Sequence, residues 1–260
     1  MAINNVISDM DGVLYRGKMM IPGVSEFIER LLHTQTPFLF LTNNSEQTAL
    51  DLKNKLEGMG ITGLSEAHFF TSAMATAEFL KSQHSEQRTA YVVGGGGLIN
   101  ELYSAGFSIT DKDPEYVVVG MTRNINFDML NTSINLIRSG AKFIATNPDM
   151  IDPVESGVAP AAGTILAAIA AGSGRAPYIV GKPNAIMMML ARKRLGAHAA
   201  ETLMIGDRMD TDIVSGMEAG MATALVLSGV SDRKIIKEFP YRPTWVFNTV
   251  EEIDIARLEP

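Results

Sequence analysis

Short apolar runs alternate with amphipathic segments along the chain. The amphipathic segments place apolar residues three and four positions apart, as at Val24, Phe27, Ile28 and Leu31, which predicts helices. Strands that are apolar along most of their length and alternate with such helices indicate a parallel sheet covered on both faces. We therefore predict an α/β fold. The runs that predict its strands are 5–8, 38–41, 90–93, 116–119, 143–145, 178–180, 202–205, 223–227 and 244–247.

Composition narrows the classes of function. The 260 residues suffice for one large domain or for a core with an inserted domain. The net charge of −7 argues against a nucleic-acid partner. The absence of cysteine excludes disulfides, thiolate zinc sites and a cysteine nucleophile. The four histidines are scattered and form no zinc-binding pair.

Neither the first residues nor the most apolar stretch of the chain indicates a membrane segment. Residues 1–11 lack the basic and apolar stretches of a signal peptide and reach paired aspartates at once. The most apolar long stretch, 159–172, is too short to cross a bilayer. We expect a cytoplasmic protein with no membrane partner.

Two aspartates directly follow the first predicted strand. Asp9 and Asp11 stand at its carboxyl end, and Gly12 lets the backbone turn sharply beside them. In an open α/β sheet, ligands bind at this end of the strands. The alternative is a β-turn with solvated acids. A calcium loop is excluded, because the glycine comes too early and no glutamate closes a loop of twelve residues.

Polar residues also end the second and sixth predicted strands. Thr42 and Asn43 follow 38–41, where a hydroxyl and backbone N–H groups could hold phosphate oxygens. Their alternative role is to cap the next helix. Lys182 follows 178–180 and, taken alone, is equally typical of a solvated lysine. Its surroundings lack the glycine spacing of a P-loop.

Three acids follow the predicted strand 202–205. Asp207, Asp210 and Asp212 would repel one another and raise one another's pKa values, so a divalent cation is their natural partner. Carboxylate oxygens without histidine or thiolate suit Mg²⁺.

Taken together and in this order, the four segments resemble the haloacid dehalogenase superfamily of phosphohydrolases. The likeness is closest to its NagD-like branch, which contains nucleotide and sugar phosphatases, and it covers essentially the whole chain. It implies a doubly wound parallel-sheet core from 1–83 and 178–260, with an inserted α/β cap, 84–177, that selects the substrate. The resemblance also includes two further segments, 71–75 and 145–149. The full set of segments that carry it is 7–14, 41–44, 71–75, 145–149, 180–183 and 205–212.

The resemblance also implies roles for the acids. Asp9 would attack phosphorus, and Asp11 would protonate the leaving oxygen and later activate water. Asp9 and Asp207 would bind Mg²⁺ together with the backbone carbonyl of Asp11, and Asp212 would support the metal or its waters. An aspartate at position 11 is expected in phosphatases and phosphomutases, and not in dehalogenases or phosphate-pumping ATPases.

The remaining expected site residues contact the substrate. Thr42, Asn43 and Lys182 would hold the phosphoryl oxygens. The residues expected to line the same mouth are Arg208, Met209, Asp210 and Thr211.

We therefore predict a magnesium-dependent phosphomonoester hydrolase acting through an aspartyl-phosphate intermediate. Its expected partner is a small phosphorylated metabolite, either a nucleoside monophosphate or a sugar phosphate. A phosphomutase and a non-catalytic protein that binds phosphorylated metabolites are the alternatives. The sequence does not determine the oligomeric state.

Substrate discrimination is expected in the cap. The predicted strand 143–145 is followed by 146–149, where a proline ends it. We expect this geometry to present the side chains of Asn147 and Asp149 at a sheet edge. These two residues are the candidate selectivity residues. The alternative is an Asx-type turn that binds no ligand.

Overall fold

The structure is a computed structural model that describes residues 2–83, 87–154 and 157–258. It divides into two compact units. The core unit comprises Met1–Thr42, Ala49–Phe70 and Lys182–Pro260. The inserted unit comprises Asn43–Thr48 and Thr71–Gly181.

Strands and helices alternate as the hydrophobic pattern predicts. The strands are β1 Asn5–Ser8, β2 Tyr15–Arg16, β3 Met19–Met20, β4 Phe38–Thr42, β5 Phe69–Thr71, β6 Thr89–Val93, β7 Ser108–Ile109, β8 Tyr116–Val119, β9 Lys142–Ala145, β10 Ile151–Val154, β11 Gly157–Pro160, β12 Tyr178–Ile179, β13 Thr202–Gly206, β14 Ala222–Val226 and β15 Trp245–Phe247. The α-helices are α1 Val24–His33, α2 Ala49–Gly58, α3 Ser72–Ser82, α4 Gly96–Ser104, α5 Phe127–Ser139, α6 Ala162–Ser173, α7 Ala185–Leu195, α8 Val214–Glu218 and α9 Ile235–Glu238.

The core unit is built on a six-stranded sheet with the order β15-β14-β13-β1-β4-β5. β1 pairs in parallel with β4 on one side and with β13 on the other. The chain first builds outward from β1 to β5, and then returns to build from β13 to β15 in the opposite direction. The order therefore reverses between β1 and β13, which makes the sheet doubly wound and confirms the predicted fold class.

Burial explains why the central strands of this sheet read as continuous apolar runs. Every residue of β1, β4 and β13 is buried, so the sheet is covered on both faces. A short antiparallel pair, β2 with β3, follows β1 directly.

The inserted unit has a sheet and an apolar core of its own. Its five strands have the order β12-β9-β8-β6-β7, and all the pairs are parallel. β10 and β11 form a separate antiparallel pair. The core cluster joins β8 and β9 to α6 and includes Val117, Val119, Phe143 and Ile169.

The boundaries of the units differ from the predicted ranges 1–83, 84–177 and 178–260. Residues 71–83 and 178–181 group with the inserted unit. The physical reason is that β12 pairs with β9, and that Phe79 of α3 stacks on Tyr178 with ring centroids 5.0 Å apart. Residues 84–86, next to the predicted first boundary, lie outside the described residues.

None of the helices in the described ranges is both long enough and apolar enough to cross a bilayer.

Two leucines on one helix test the core packing. Leu56 of α2 is 0 % exposed and Leu50 is 46 % exposed. We expect Leu56→Ala to lower the free energy of unfolding by about 2–5 kcal/mol, because it removes buried methyl groups and leaves a cavity. Leu50→Ala is the matched control and should cost less than about 0.5 kcal/mol. Urea unfolding of both variants measures the difference, and equal losses would contradict the packing described here.

Candidate active site

The segments that carry Asp9 and Asp207 meet at the reversal point of the core sheet. Asp9 follows β1 and Asp207 follows β13, and these two strands are parallel neighbours with Ser8 opposite Ile205. The Asp9 N–H donates to the carbonyl of Ile205 at 2.8 Å and so continues the ladder. Thr42 ends β4, the neighbour of β1 on its other side. Because parallel strands share their carboxyl edge, one edge carries all three side chains.

Three buried carboxylates and one buried ammonium form the centre of the site. Asp9, Asp207 and Asp212 each offer a carboxylate oxygen, and these oxygens lie within 4.8 Å of one another. Lys182 Nζ donates to Asp9 Oδ1, and also to Asp212 Oδ1 at 2.7 Å. Three carboxylates against a single lysine leave an excess of negative charge when all of them are ionised.

The pKa shifts follow from burial and crowding. Burial raises the pKa of Asp9 well above its usual value; Lys182 opposes the shift, and Asp212 and Asp207 add to it. Burial, followed by the charge of Asp212, raises the pKa of Asp207 to about 7. Burial alone would lower the pKa of Lys182, but attraction to Asp212 and Asp9 outweighs it and raises that pKa. Oxygen ligands with surplus negative charge are the donor set that a divalent cation requires, so this cluster fits one.

Backbone N–H groups hold two of these carboxylates in place. Val230 N donates to Asp207 Oδ2 at 2.7 Å. Asp212 Oδ2 accepts from the backbone N–H groups of Asp207 at 3.2 Å and Arg208 at 3.1 Å. The carboxylates are therefore fixed before any ligand arrives.

Glycines make room for the same carboxylates. A β-carbon at Gly229 or at Gly12 would overlap Asp207 Oδ2, and one at Gly206 would overlap the Asp212 side chain. Gly12 also has a φ of +79°, which disfavours any residue with a side chain. Gly229 and Val230 were not among the site residues predicted from the sequence. The signal that could have found them is the small pair Ser228-Gly229 at the end of another strand, β14.

Asp11 lies beside the cluster and is open to solvent. Tyr15 Oη donates to Asp11 Oδ2 at 3.3 Å. Even so, desolvation by the surrounding protein raises the pKa of the Asp11 carboxyl group. The charge of Lys55, the Tyr15 hydrogen bond and the charge of Lys182 partly oppose that shift. The predicted role of the Asp11 backbone carbonyl as a metal ligand stays a prediction.

The residues expected to line the mouth fall into two groups. Arg208 and Asp210 are accessible and pair with each other, Nε to Oδ1 at 3.0 Å and Nη2 to Oδ2 at 2.8 Å. Thr211 is buried. Met209 differs from the prediction: its side chain is 1 % exposed and packs in an apolar cluster with Ile213 and Leu225. Because its side chain faces the core, Met209 cannot line an opening with it.

Asn43, Asn147 and Asp149 are joined to one another within the inserted unit. Asn43 Nδ2 donates to Asp149 Oδ2 at 2.7 Å, and Asn147 Nδ2 donates to the Asn43 carbonyl at 2.8 Å. Asp149 N donates to Asn147 Oδ1 at 3.2 Å, which is the bond of an Asx-type turn. These contacts support a structural role for the loop, and the substrate-binding roles of the three residues stay predictions.

Two parts of the chain match known family profiles. Residues 6–108 match the profile described as haloacid dehalogenase-like hydrolase. Residues 179–253 match a second profile, described as HAD-hydrolase-like.

Relatives match this chain along nearly its whole length, and the solved structure of one of them shares its fold. The dihydroxyacetone phosphatase of Corynebacterium glutamicum (strain R) is 48% identical, over 97% of this chain and 92% of the relative. The ribonucleotide monophosphatase NagD of Escherichia coli (strain K12) is 45% identical, over 98% of this chain and 100% of the relative. The solved structure of that NagD superposes with a TM-score of 0.93 over the same shares of the two chains. An acid sugar phosphatase of Staphylococcus epidermidis is 38% identical, over 96% of each chain.

The doubly wound core with its buried acidic cluster, and these matches along nearly the whole chain, define a class of enzyme. The chain belongs to the haloacid dehalogenase-like hydrolases. Within them it is a phosphoric monoester hydrolase of the NagD-like branch. Hydrolases of this family generally use a divalent metal ion, and the cluster of Asp9, Asp207 and Asp212 fits one.

Gly229 provides a test of the fixed geometry at Asp207. We expect Gly229→Ala to lower phosphatase activity about a hundredfold, because the added methyl group displaces Asp207 by a sizeable fraction of an ångström. The concentration of metal ion needed for half-maximal activity should rise as well. Gly58→Ala is the control, since a β-carbon there meets no atom within 4 Å. Unchanged activity and metal dependence in Gly229→Ala would contradict the packing described at this site.

Proposed function

We propose that this enzyme is a magnesium-dependent phosphatase that hydrolyses nucleoside monophosphates or sugar phosphates through a phosphorylated Asp9. The observation that carries the proposal is the position of Asp9, a buried carboxylate at the reversal point, bonded to Lys182 and adjacent to Asp207 and Asp212. The names of the relatives, which include a ribonucleotide monophosphatase and an acid sugar phosphatase, support the substrate class.

Asp9 is the nucleophile in this proposal. Its carboxylate oxygen forms a bond to phosphorus as the bond from phosphorus to the leaving oxygen breaks. Both the carboxylate and the phosphate ester are anionic. The Lys182 ammonium reduces their repulsion because it donates a hydrogen bond to the Asp9 carboxylate. Covalent capture divides one difficult displacement into two easier ones.

Asp11 carries the proton in both steps. In its protonated form, which desolvation favours by raising its pKa, it donates a proton to the leaving oxygen. The resulting carboxylate then accepts a proton from the water that attacks phosphorus, as the bond between phosphorus and the Asp9 oxygen breaks. This proton restores the protonated form of Asp11, the Asp9 carboxylate is free again, and inorganic phosphate leaves.

Magnesium is the ion we propose for the cluster. Asp9, Asp207 and the Asp11 carbonyl would hold it, and Asp212 would support the metal or its waters. The ion would supply positive charge that offsets the charge of the phosphoryl group. An all-oxygen donor set without histidine or thiolate favours Mg²⁺ over softer metals.

Thr42 and Lys182 are the residues of the core unit that we propose for the phosphoryl oxygens, and Asn43 follows Thr42 directly in the chain. We further propose that the inserted unit discriminates among substrates. The cytoplasmic location and the lack of nucleic-acid and membrane partners remain predictions.

Asp9→Asn tests the nucleophile. The variant keeps the shape of the side chain and removes the charged oxygen, so we expect turnover to fall to background. Rapid quenching followed by mass spectrometry should find phosphate on Asp9 of the wild-type enzyme and none on the variant. Asp254→Asn, at an exposed aspartate of the same unit, is the control and should keep full activity. Wild-type turnover in a variant whose introduced asparagine is intact would reject Asp9 as the nucleophile.

Asp149→Asn and Asn147→Ala test substrate discrimination. If these residues contact the substrate, the preference among nucleotides and sugar phosphates should change several-fold to about a hundredfold, the scale of one lost hydrogen bond. Hydrolysis of acetyl phosphate should change much less, because it offers no group to discriminate. Asp128→Asn, on α5 of the same unit, is the control. If every substrate slows by the same factor, the two residues only support the loop.

A further inference from the structure

Tyr15 is a buried phenol whose hydroxyl reaches the proposed acid of the site. The residue is 1 % exposed, although it begins the short strand β2. Gly12 N donates to the Tyr15 carbonyl at 2.8 Å, so the turn that follows Asp11 folds the ring back towards it. A buried tyrosine hydroxyl requires a hydrogen-bond partner, and here Asp11 Oδ2 accepts from it at 3.3 Å.

Lys55 of α2 lies over the ring of the same tyrosine. Its Nζ lies 3.6 Å from the centroid of the Tyr15 ring, well within the range of a cation–π contact. The same ammonium attracts the Asp11 carboxylate. Elsewhere on α2, Lys53 Nζ pairs with Glu57 Oε1 at 2.7 Å. Lys53 therefore forms a salt bridge within the helix.

An acid that donates a proton must be held in one orientation. Asp11 as a residue is open to solvent, so packing alone does not select one rotamer of its side chain. Proton transfer to a leaving group is efficient only from a positioned donor. The bond from Tyr15 occupies Oδ2, which leaves Oδ1 as the oxygen that can carry the transferable proton.

We propose that Tyr15 is a positioning residue that holds Asp11 with Oδ1 facing the leaving group, and that Lys55 supports it by covering the tyrosine ring. This inference rests on the proposed acid–base role of Asp11. The proton passes from Asp11 Oδ1 to the leaving oxygen, and one returns to Asp11 from the attacking water, so Tyr15 keeps its own proton throughout. In this proposal Tyr15 and Lys55 act only through Asp11.

Tyr15→Phe isolates the hydroxyl, because it keeps the ring beneath Lys55. For an alkyl phosphate, whose leaving group needs a proton, we expect kcat to fall about fivefold to tenfold with little change in KM. For 4-nitrophenyl phosphate, whose leaving group needs little protonation, kcat should fall less than about twofold. The ratio of the two rates is the readout, since a merely structural defect would slow both esters alike.

Further variants test whether Lys55 and Tyr15 act through Asp11. Lys55→Gln should change the ratio of the two rates in the same direction as Tyr15→Phe. Lys55→Arg should keep the wild-type ratio, because the positive charge over the ring is retained. Lys53→Gln is the control on the same helix and should leave the ratio unchanged. In an Asp11→Asn background, Tyr15→Phe should have no further effect on the ratio, since the group it positions has been removed.

The outcomes separate this inference from the function it rests on. If wild-type enzyme forms no phosphorylated Asp9, the proposed function fails. If it does form, but Tyr15→Phe slows both esters equally, or the ratio still changes in the Asp11→Asn background, the positioning role is overturned and the phosphatase mechanism stands. Circular dichroism and melting temperature establish that each variant is folded.

Discussion

The site depends on one buried interaction, the ammonium of Lys182 shared between Asp9 and Asp212. Burying carboxylates without compensation is costly, and removing one partner from a buried pair leaves a charge that nothing offsets. Asp207 adds a third acid, so the lysine alone does not neutralise the group. The backbone donors at Val230 and Arg208 supply further compensation.

Topology explains how distant segments reach this lysine. The reversal between β1 and β13 places two acid-bearing strand ends side by side, although about two hundred residues separate them in the chain. The inserted unit occupies most of that interval and forms its own parallel sheet. The insertion falls between strands, so the core sheet stays continuous from β15 to β5.

Side-chain direction and backbone groups explain why some site residues differ from those predicted from the sequence. Met209 follows two candidate site residues, but its side chain turns into the core, because the chain begins a helical turn there. Gly229 matters because it lacks a side chain, and Val230 matters through its backbone N–H group. Neither residue type indicates chemistry by itself, so only the small pair Ser228-Gly229 after β14 marks this place in the sequence. Tyr15 was not among the predicted site residues, and only the structure shows that its hydroxyl donates to Asp11 and that Lys55 lies over its ring.

The sequence by itself determined the α/β class, the strand ends that carry Asp9, Thr42 and Asp207, and the resemblance that predicted the family, because strand periodicity and short motifs are local properties. Only the tertiary structure decided that Lys182 donates hydrogen bonds to Asp9 and Asp212 and that Tyr15 donates one to Asp11. It also decided at which residues the inserted unit begins and ends. Those facts depend on contacts between residues far apart in the chain or on the direction of a side chain, and neither is set by local sequence.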